Sequence, residues 1–185
     1  VNEILSASEQ ADMLVLGAHG LNPLRDLILG TTAERLLKRC RRPALVVKRP
    51  PQEDYRRVLV PMDFSRHSLA SLRMAMKIAP EAEITVLHAF DAPFEGKLWL
   101  AGVSDEQIHR YRLQAQQQAL ARIDGLLRES GDPYRCSRSV EHGDAAPLIL
   151  AREAELGADL IVIGKHGQPV LEELLIGSVT RHVLS

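Results

Sequence analysis

The sequence predicts an α/β fold in which an open parallel sheet carries helices on both faces. Two observations lead there. Short aliphatic or β-branched runs at residues 58–60, 84–87 and 160–163, with a weaker one around Val140, alternate with segments of helical periodicity. That is the pattern of strands buried on both sides by crossover helices. Second, Ala11-Asp-Met-Leu-Val-Leu-Gly-Ala-His-Gly20 recurs as Ala158-Asp-Leu-Ile-Val-Ile-Gly-Lys-His-Gly167, and Leu29-Gly30-Thr31 recurs as Ile176-Gly177-Ser178, at one offset of 147 residues. Such an offset is the size of a whole domain rather than of a solenoid unit, so the chain is expected to sample two copies of one domain in tandem.

The elements of the second copy follow in order. Residues 58–60 form its first strand. Ser65 caps a helix with apolar positions Leu69, Leu72 and Met76, closed by Pro80 after Ile78. Residues 84–87 form the second strand. Segment 92–102, with Pro93, Gly96 and Gly102 but no periodicity, reads as a loop whose Trp99 and Leu100 either cover a pocket or pack beneath it. Ser104 and Gln107 make a capping-box pattern before a long polar helix that ends near Gly131-Asp-Pro133. The third strand lies around Val140. A further helix runs from Asp144 to Leu156, stopped by Gly157, and residues 160–163 are the fourth strand. By the same offset, the counterpart of the first strand falls about ninety residues ahead of Val1. Ala44–Val47 maps beyond Ser185. Residues 1–50 therefore read as the C-terminal part of a first domain, and 56–185 as a second domain lacking its last strand. The strand at 44–47 is expected to pair with the one at 160–163, within the chain or across a dimer, because an open edge recruits strands.

Composition narrows the partners. The 185 residues include 23 Lys and Arg against 24 Asp and Glu, 45% apolar and 25% charged. This is a globular balance with no global basic excess, so nucleic acid is not the default partner. No apolar run approaches the ~20 residues of a membrane span. Two cysteines, Cys40 and Cys136, make neither a disulfide framework nor a zinc pattern, and a reducing cytoplasm is the expected location.

The chemistry-bearing feature is a spacing of glycines. Gly164-Lys-His-Gly167 is followed by nine residues and then Gly177-Ser178, and the first copy repeats this as Gly17, Gly20 and Gly30-Thr31. A phosphate chain needs backbone N–H groups at close range with no β-carbon in the way, and a hydroxyl adds a donor. The competing role is structural, since such glycines also end strands and tighten turns. The better-known phosphate loops are absent: neither G-x-x-x-x-G-K-S/T nor G-x-G-x-x-G follows any of these strands. In a parallel sheet the site belongs at the carboxyl ends of the first and fourth strands, where strand order reverses.

Pro61-Met-Asp63-Phe-Ser65, Val86-Leu-His-Ala89 and the G-x-x-G-x9-G-S/T constellation together resemble the universal stress protein family, in particular its tandem, ATP-binding members. The resemblance covers essentially the whole chain. It implies a Rossmann-like fold of the adenine nucleotide alpha hydrolase kind with strand order 3-2-1-4-5. It also implies homodimers or intramolecular pseudo-dimers through the last strands, a cytoplasmic regulator of the stress response, and ATP, with Mg, as the ligand. Carried over by residue, Pro61, Met62 and Asp63 take the adenine and ribose side, with Ala89 against the base. Ile163, Gly164, Gly167, Gly177, Ser178 and Val179 surround ribose and phosphates. For Asp63 the competing role is a helix N-cap. The chain departs from the family after the second glycine, where Gln168 and Leu21 replace the frequent basic or small polar residue. Lys165 either compensates as a point charge or is a solvated surface lysine.

Other signals are weaker. The seven histidines are scattered without ligand spacing, although His19 and His166 sit inside the glycine loop in both copies. Residues 35–57 hold nine basic residues and two acids. This stretch suits helix C-terminal capping and a solvated linker better than a nucleic-acid patch, because no aromatics interleave it. No catalytic base or metal site is identified. A dimerising scaffold without nucleotide and a slow ATPase or nucleotidyl transferase remain the alternative functions.

Overall fold

A computed structural model describes residues 1–18, 29–48, 50, 53–90, 103–130, 135–167 and 176–184. The loop expected at 92–102, His19, Gly20, Leu21, Gln168 and the turn at 131–133 lie outside the described residues. The chain forms two compact units, Val1–Asp54 with Gln168–Ser185, and Tyr55–Gly167.

The first unit contains α1 (Asn2–Ser8), β1 (Leu14–Gly17), α2 (Thr31–Arg39), β2 (Ala44–Val47) and a short terminal helix described last. β1 and β2 pair in parallel from Leu14↔Ala44 to Gly17↔Val47, and the Ala18 N–H extends the ladder to the Val47 carbonyl. Within the chain, the expected pairing of Ala44–Val47 with the strand at 160 is therefore corrected. Its partner is the neighbouring strand of its own copy, reached through α2 by the short crossover that parallel strands require. Gly30 caps α2 through its backbone, and its N–H donates to the Ala18 carbonyl at 3.0 Å. A Cβ there would lie 3.4 Å from that same oxygen, so close approach favours glycine. α2 buries Ala33 and Leu36, and its last turn carries Lys38 and Arg39, which suit the negative end of the helix dipole.

In the second unit, β3 (Arg57–Pro61), β4 (Glu83–Phe90), β5 (Cys136–His142) and β6 (Leu160–Ile161) form one all-parallel sheet in the order β5-β4-β3-β6. Counted from β3 this is 3-2-1-4, the first four strands of the order that the family resemblance implies. The crossovers are α3 (Arg66–Ile78), α4 (Asp105–Glu129) and α5 (Ala145–Leu156). Val58, Val60, Ile84 and Val86 face Leu72 and Ala75 of α3 and Ile123 and Leu127 of α4 in one core. Leu59 and Leu87 alternate to the opposite face, where α5 brings Ile149. Each such fully buried side chain contributes about 1.5–3 kcal/mol.

The helix punctuation follows the sequence reading. The Ser65 hydroxyl accepts from the Ser68 N–H, Ser104 and Gln107 form a reciprocal capping box, the Asp144 carboxylate accepts from Ala146, and Gly157 ends α5 in the left-handed region at φ 55°. β6 is shorter than the expected 160–163. The Val162 N–H still reaches the Leu59 carbonyl, after which the chain turns away toward Gly164. Asp159 anchors its start, accepting from the backbone N–H groups of Arg56 and Arg57 at 2.9 and 3.2 Å. The first unit also contains α6 (Ser178–Leu184), which buries Thr180 and Val183.

Candidate functional site

The carboxyl ends of β3 and β6 meet in the second unit. β3 ends at Pro61, and the Met62 N–H continues its ladder to the Leu87 carbonyl at 2.8 Å. Met62 is buried, with the Ser68 hydroxyl 3.2 Å from its sulfur. The next residue, Asp63, is exposed. Its Oδ1 accepts from the Ser65 N–H at 2.9 Å, a side-chain turn that precedes the helix cap. The N-cap role considered for Asp63 therefore falls to Ser65, and Asp63 keeps its second oxygen for another neighbour.

That neighbour is the glycine loop after β6. A Cβ on Gly167 would lie 2.8 Å from Asp63 Oδ2, closer than real side chains come, and among the described residues beyond its chain neighbours would meet no other heavy atom nearer than the Asp63 Cγ at 4.0 Å. Gly164 differs: its Cβ would sit 3.0 Å from the His67 Cβ and 3.2 Å from the His67 carbonyl carbon. Glycine at 164 is thus favoured by close packing against α3, while at 167 it keeps clear the space beside a carboxylate. Between them Lys165 is half-buried and His166 is buried, its ring edge-on to His67 at 5.7 Å.

Of the other expected residues, Ile163 follows β6 and is half-buried. Ala89 lies two positions beyond Leu87, the partner of Pro61, on the same rim of the sheet. Gly177, Ser178 and Val179 belong to the first unit, where Ser178 begins α6 and the Gly177 carbonyl accepts from Arg181. In the other copy Gly17 ends β1, Gly30 caps α2 and Thr31 begins it.

Phe64, the residue after Asp63, and the two side chains on its ring went unnoticed as a group. Phe64 adopts φ 62°, the left-handed region. Its ring lies 4.6 Å from that of His88, whose Nδ1 is 2.7 Å from the Met62 carbonyl oxygen, and the Arg122 guanidinium carbon sits 4.1 Å over the ring. Phe64 and His88 stand inside the motifs that carry the resemblance, but nothing local signals that Arg122 joins them. In register with Ala89 stands Glu141. Burial pushes its carboxyl up, yet hydrogen bonds from Ser139 and Arg152 and the Arg152 charge outweigh this and hold it below its usual range.

With this geometry in view, comparison with known proteins gives a consistent answer. The model of the universal stress protein family matches residues 3–48 and 54–185. The chain belongs to the universal stress protein family. A universal stress protein of Methanocaldococcus jannaschii is 32% identical over 133 residues, covering 70% of this chain and 76% of the relative. One of Mycolicibacterium smegmatis is 29% identical over 189 residues, covering 97% of this chain and 60% of the relative. A solved universal stress protein from Archaeoglobus fulgidus has a TM-score of 0.71 at 20% identity, covering 99% of this chain and 62% of that one, which shows the shared fold. The chain thus spans about three fifths of the length of these two end-to-end matches. Among its described residues, this universal stress protein has no helix long and apolar enough to cross a membrane.

Proposed function

We propose that this chain is an ATP-binding module of a tandem universal stress protein, acting as a nucleotide-dependent regulator. The observation that carries the reading is the Asp63 carboxylate beside the side-chain-free face of Gly167, at the carboxyl ends of adjacent parallel strands. A carboxylate there can accept from ribose hydroxyls or the adenine amino group, and the Gly164–Gly167 backbone offers N–H donors to phosphates. Pro61, Met62, Ala89 and Ile163 would line the base and ribose; the family resemblance assigns Gly177, Ser178 and Val179 to the phosphate side. ATP would supply binding energy that biases conformation or partner choice. Magnesium would accompany the nucleotide, held by its phosphates.

The tandem organisation is supported by the recurrence at 147 residues and by the two separate segments matched by the family model. Pairing of last strands between copies, a cytoplasmic location and a homodimer belong to the same reading. Titration of the purified chain with ATP in a calorimeter tests it, alongside mass spectrometry of small molecules released on denaturation. Saturable binding that weakens at least tenfold in Asp63→Asn is expected, because a charge-assisted hydrogen bond is worth about 1.5–3 kcal/mol. Absence of both binding and retained nucleotide would leave the scaffold alternative standing. Steady turnover abolished by Asp63→Asn or Ser178→Ala would instead mark a slow ATPase.

A further inference from the structure

We infer that Phe64, His88 and Arg122 form a positioning assembly that aims the Asp63 carboxylate at the glycine loop. A bulky residue at φ 62° is a backbone outlier, and such a conformation persists only where its surroundings over-determine it. Here they do. The Phe64 ring packs on the core, contacts the His88 ring at 4.6 Å and receives the Arg122 guanidinium at 4.1 Å. His88 is itself held by the Met62 carbonyl at 2.7 Å, a contact that requires the proton on Nδ1. Residues from β4 and α4 therefore grip the one side chain between Asp63 and Ser65.

The consequence lies in the turn. The left-handed residue folds the chain so that the Ser65 N–H reaches Asp63 Oδ1 at 2.9 Å, which orients the carboxylate and leaves Oδ2 against Gly167. Arg122 is exposed on α4, so its place over the ring is not needed to fill the core. It acts on any ligand through Phe64 and Asp63, as a positioning residue. The effect on ATP affinity rests on the nucleotide reading above. The effect on the turn does not.

The test uses the whole chain, with amide hydrogen exchange at Ser65 and Ser68 and calorimetric titration with ATP. Arg122→Ala and Phe64→Leu, the latter keeping apolar bulk, are each expected to speed exchange at Ser65 about fivefold, the scale of an exposed cation–π contact. The Ser68 amide, bound to the Ser65 hydroxyl in the next turn, stays at the wild-type rate. Phe64→Tyr restores the wild-type pattern. ATP affinity falls about fivefold in Arg122→Ala, and by less than twofold when the same change is made in Asp63→Asn, because the path runs through that carboxylate. Equal loosening of both amides, or equal affinity loss in both backgrounds, overturns the assignment. If the wild-type chain does not bind ATP, the nucleotide reading fails, and the Ser65 exchange rates alone still decide the positioning assembly.

Discussion

Gly167→Ala puts the contact between the loop and Asp63 to a direct test. The new methyl carbon would lie 2.8 Å from Asp63 Oδ2, whereas ordinary contact begins at 3.4 Å, so one partner must retreat by about 0.6 Å. The carboxylate cannot swing away freely, because its other oxygen holds the Ser65 N–H at 2.9 Å. Weakening that part-buried, charge-assisted bond costs about 1 kcal/mol. For a chain of this size that corresponds to a fall in Tm of about 2–4 °C, read by scanning calorimetry. The same substitution made in Asp63→Ala meets open space. There the cost is expected to vanish, or to become a gain of up to about 0.5 kcal/mol as the unfolded chain loses freedom. On the proposed nucleotide reading, ATP affinity falls with Tm in the single variant, since both follow from displacing one carboxylate. Equal Tm losses in the two backgrounds would refute the reasoning, because the penalty would then not pass through Asp63.

Two further perturbations probe the frame around the site. Ser104→Ala removes one half of the reciprocal bonds with Gln107, each 3.3 Å long, and should cost about 1 kcal/mol in thermal or urea unfolding. Arg152→Met removes the guanidinium that binds Glu141 Oε1, the Ser139 hydroxyl and Glu155, and should cost about 1–3 kcal/mol, toward the lower end because Arg152 and Glu141 remain 23% and 26% exposed. Its pH dependence has a definite sign. Glu141 titrates below its ordinary 4.5 when folded, so its contribution is present above that pH and is lost as pH falls through the lower folded value. Urea unfolding between pH 3 and 6 should show this loss in the wild type and a flatter profile in Arg152→Met.

Much of the fold was legible because its signals are local. Helix caps at Ser65, Ser104 and Asp144 and the stop at Gly157 each depend on a few neighbouring residues and on preferences that hold in any context. The two misjudged strand features were not local. Whether Ala44–Val47 pairs with β1 or with β6 is a choice between distant edges, both apolar and both parallel, and the end of β6 depends on how closely Gly164 packs against His67.

The candidate site divides in the same way. Residue types and spacing alone determined that Asp63 and the glycines would stand at strand ends, because alternation of strands and helices sends every loop of one kind to one rim of a parallel sheet. Only the tertiary structure decided which glycine faces the carboxylate and which merely packs, and that Arg122 reaches Phe64 from a helix far along the chain. Periodicity assigns a residue to a face and an end. Contacts of a few ångströms between separate elements are set by the sum of all the packing beneath them, which no short stretch of sequence contains.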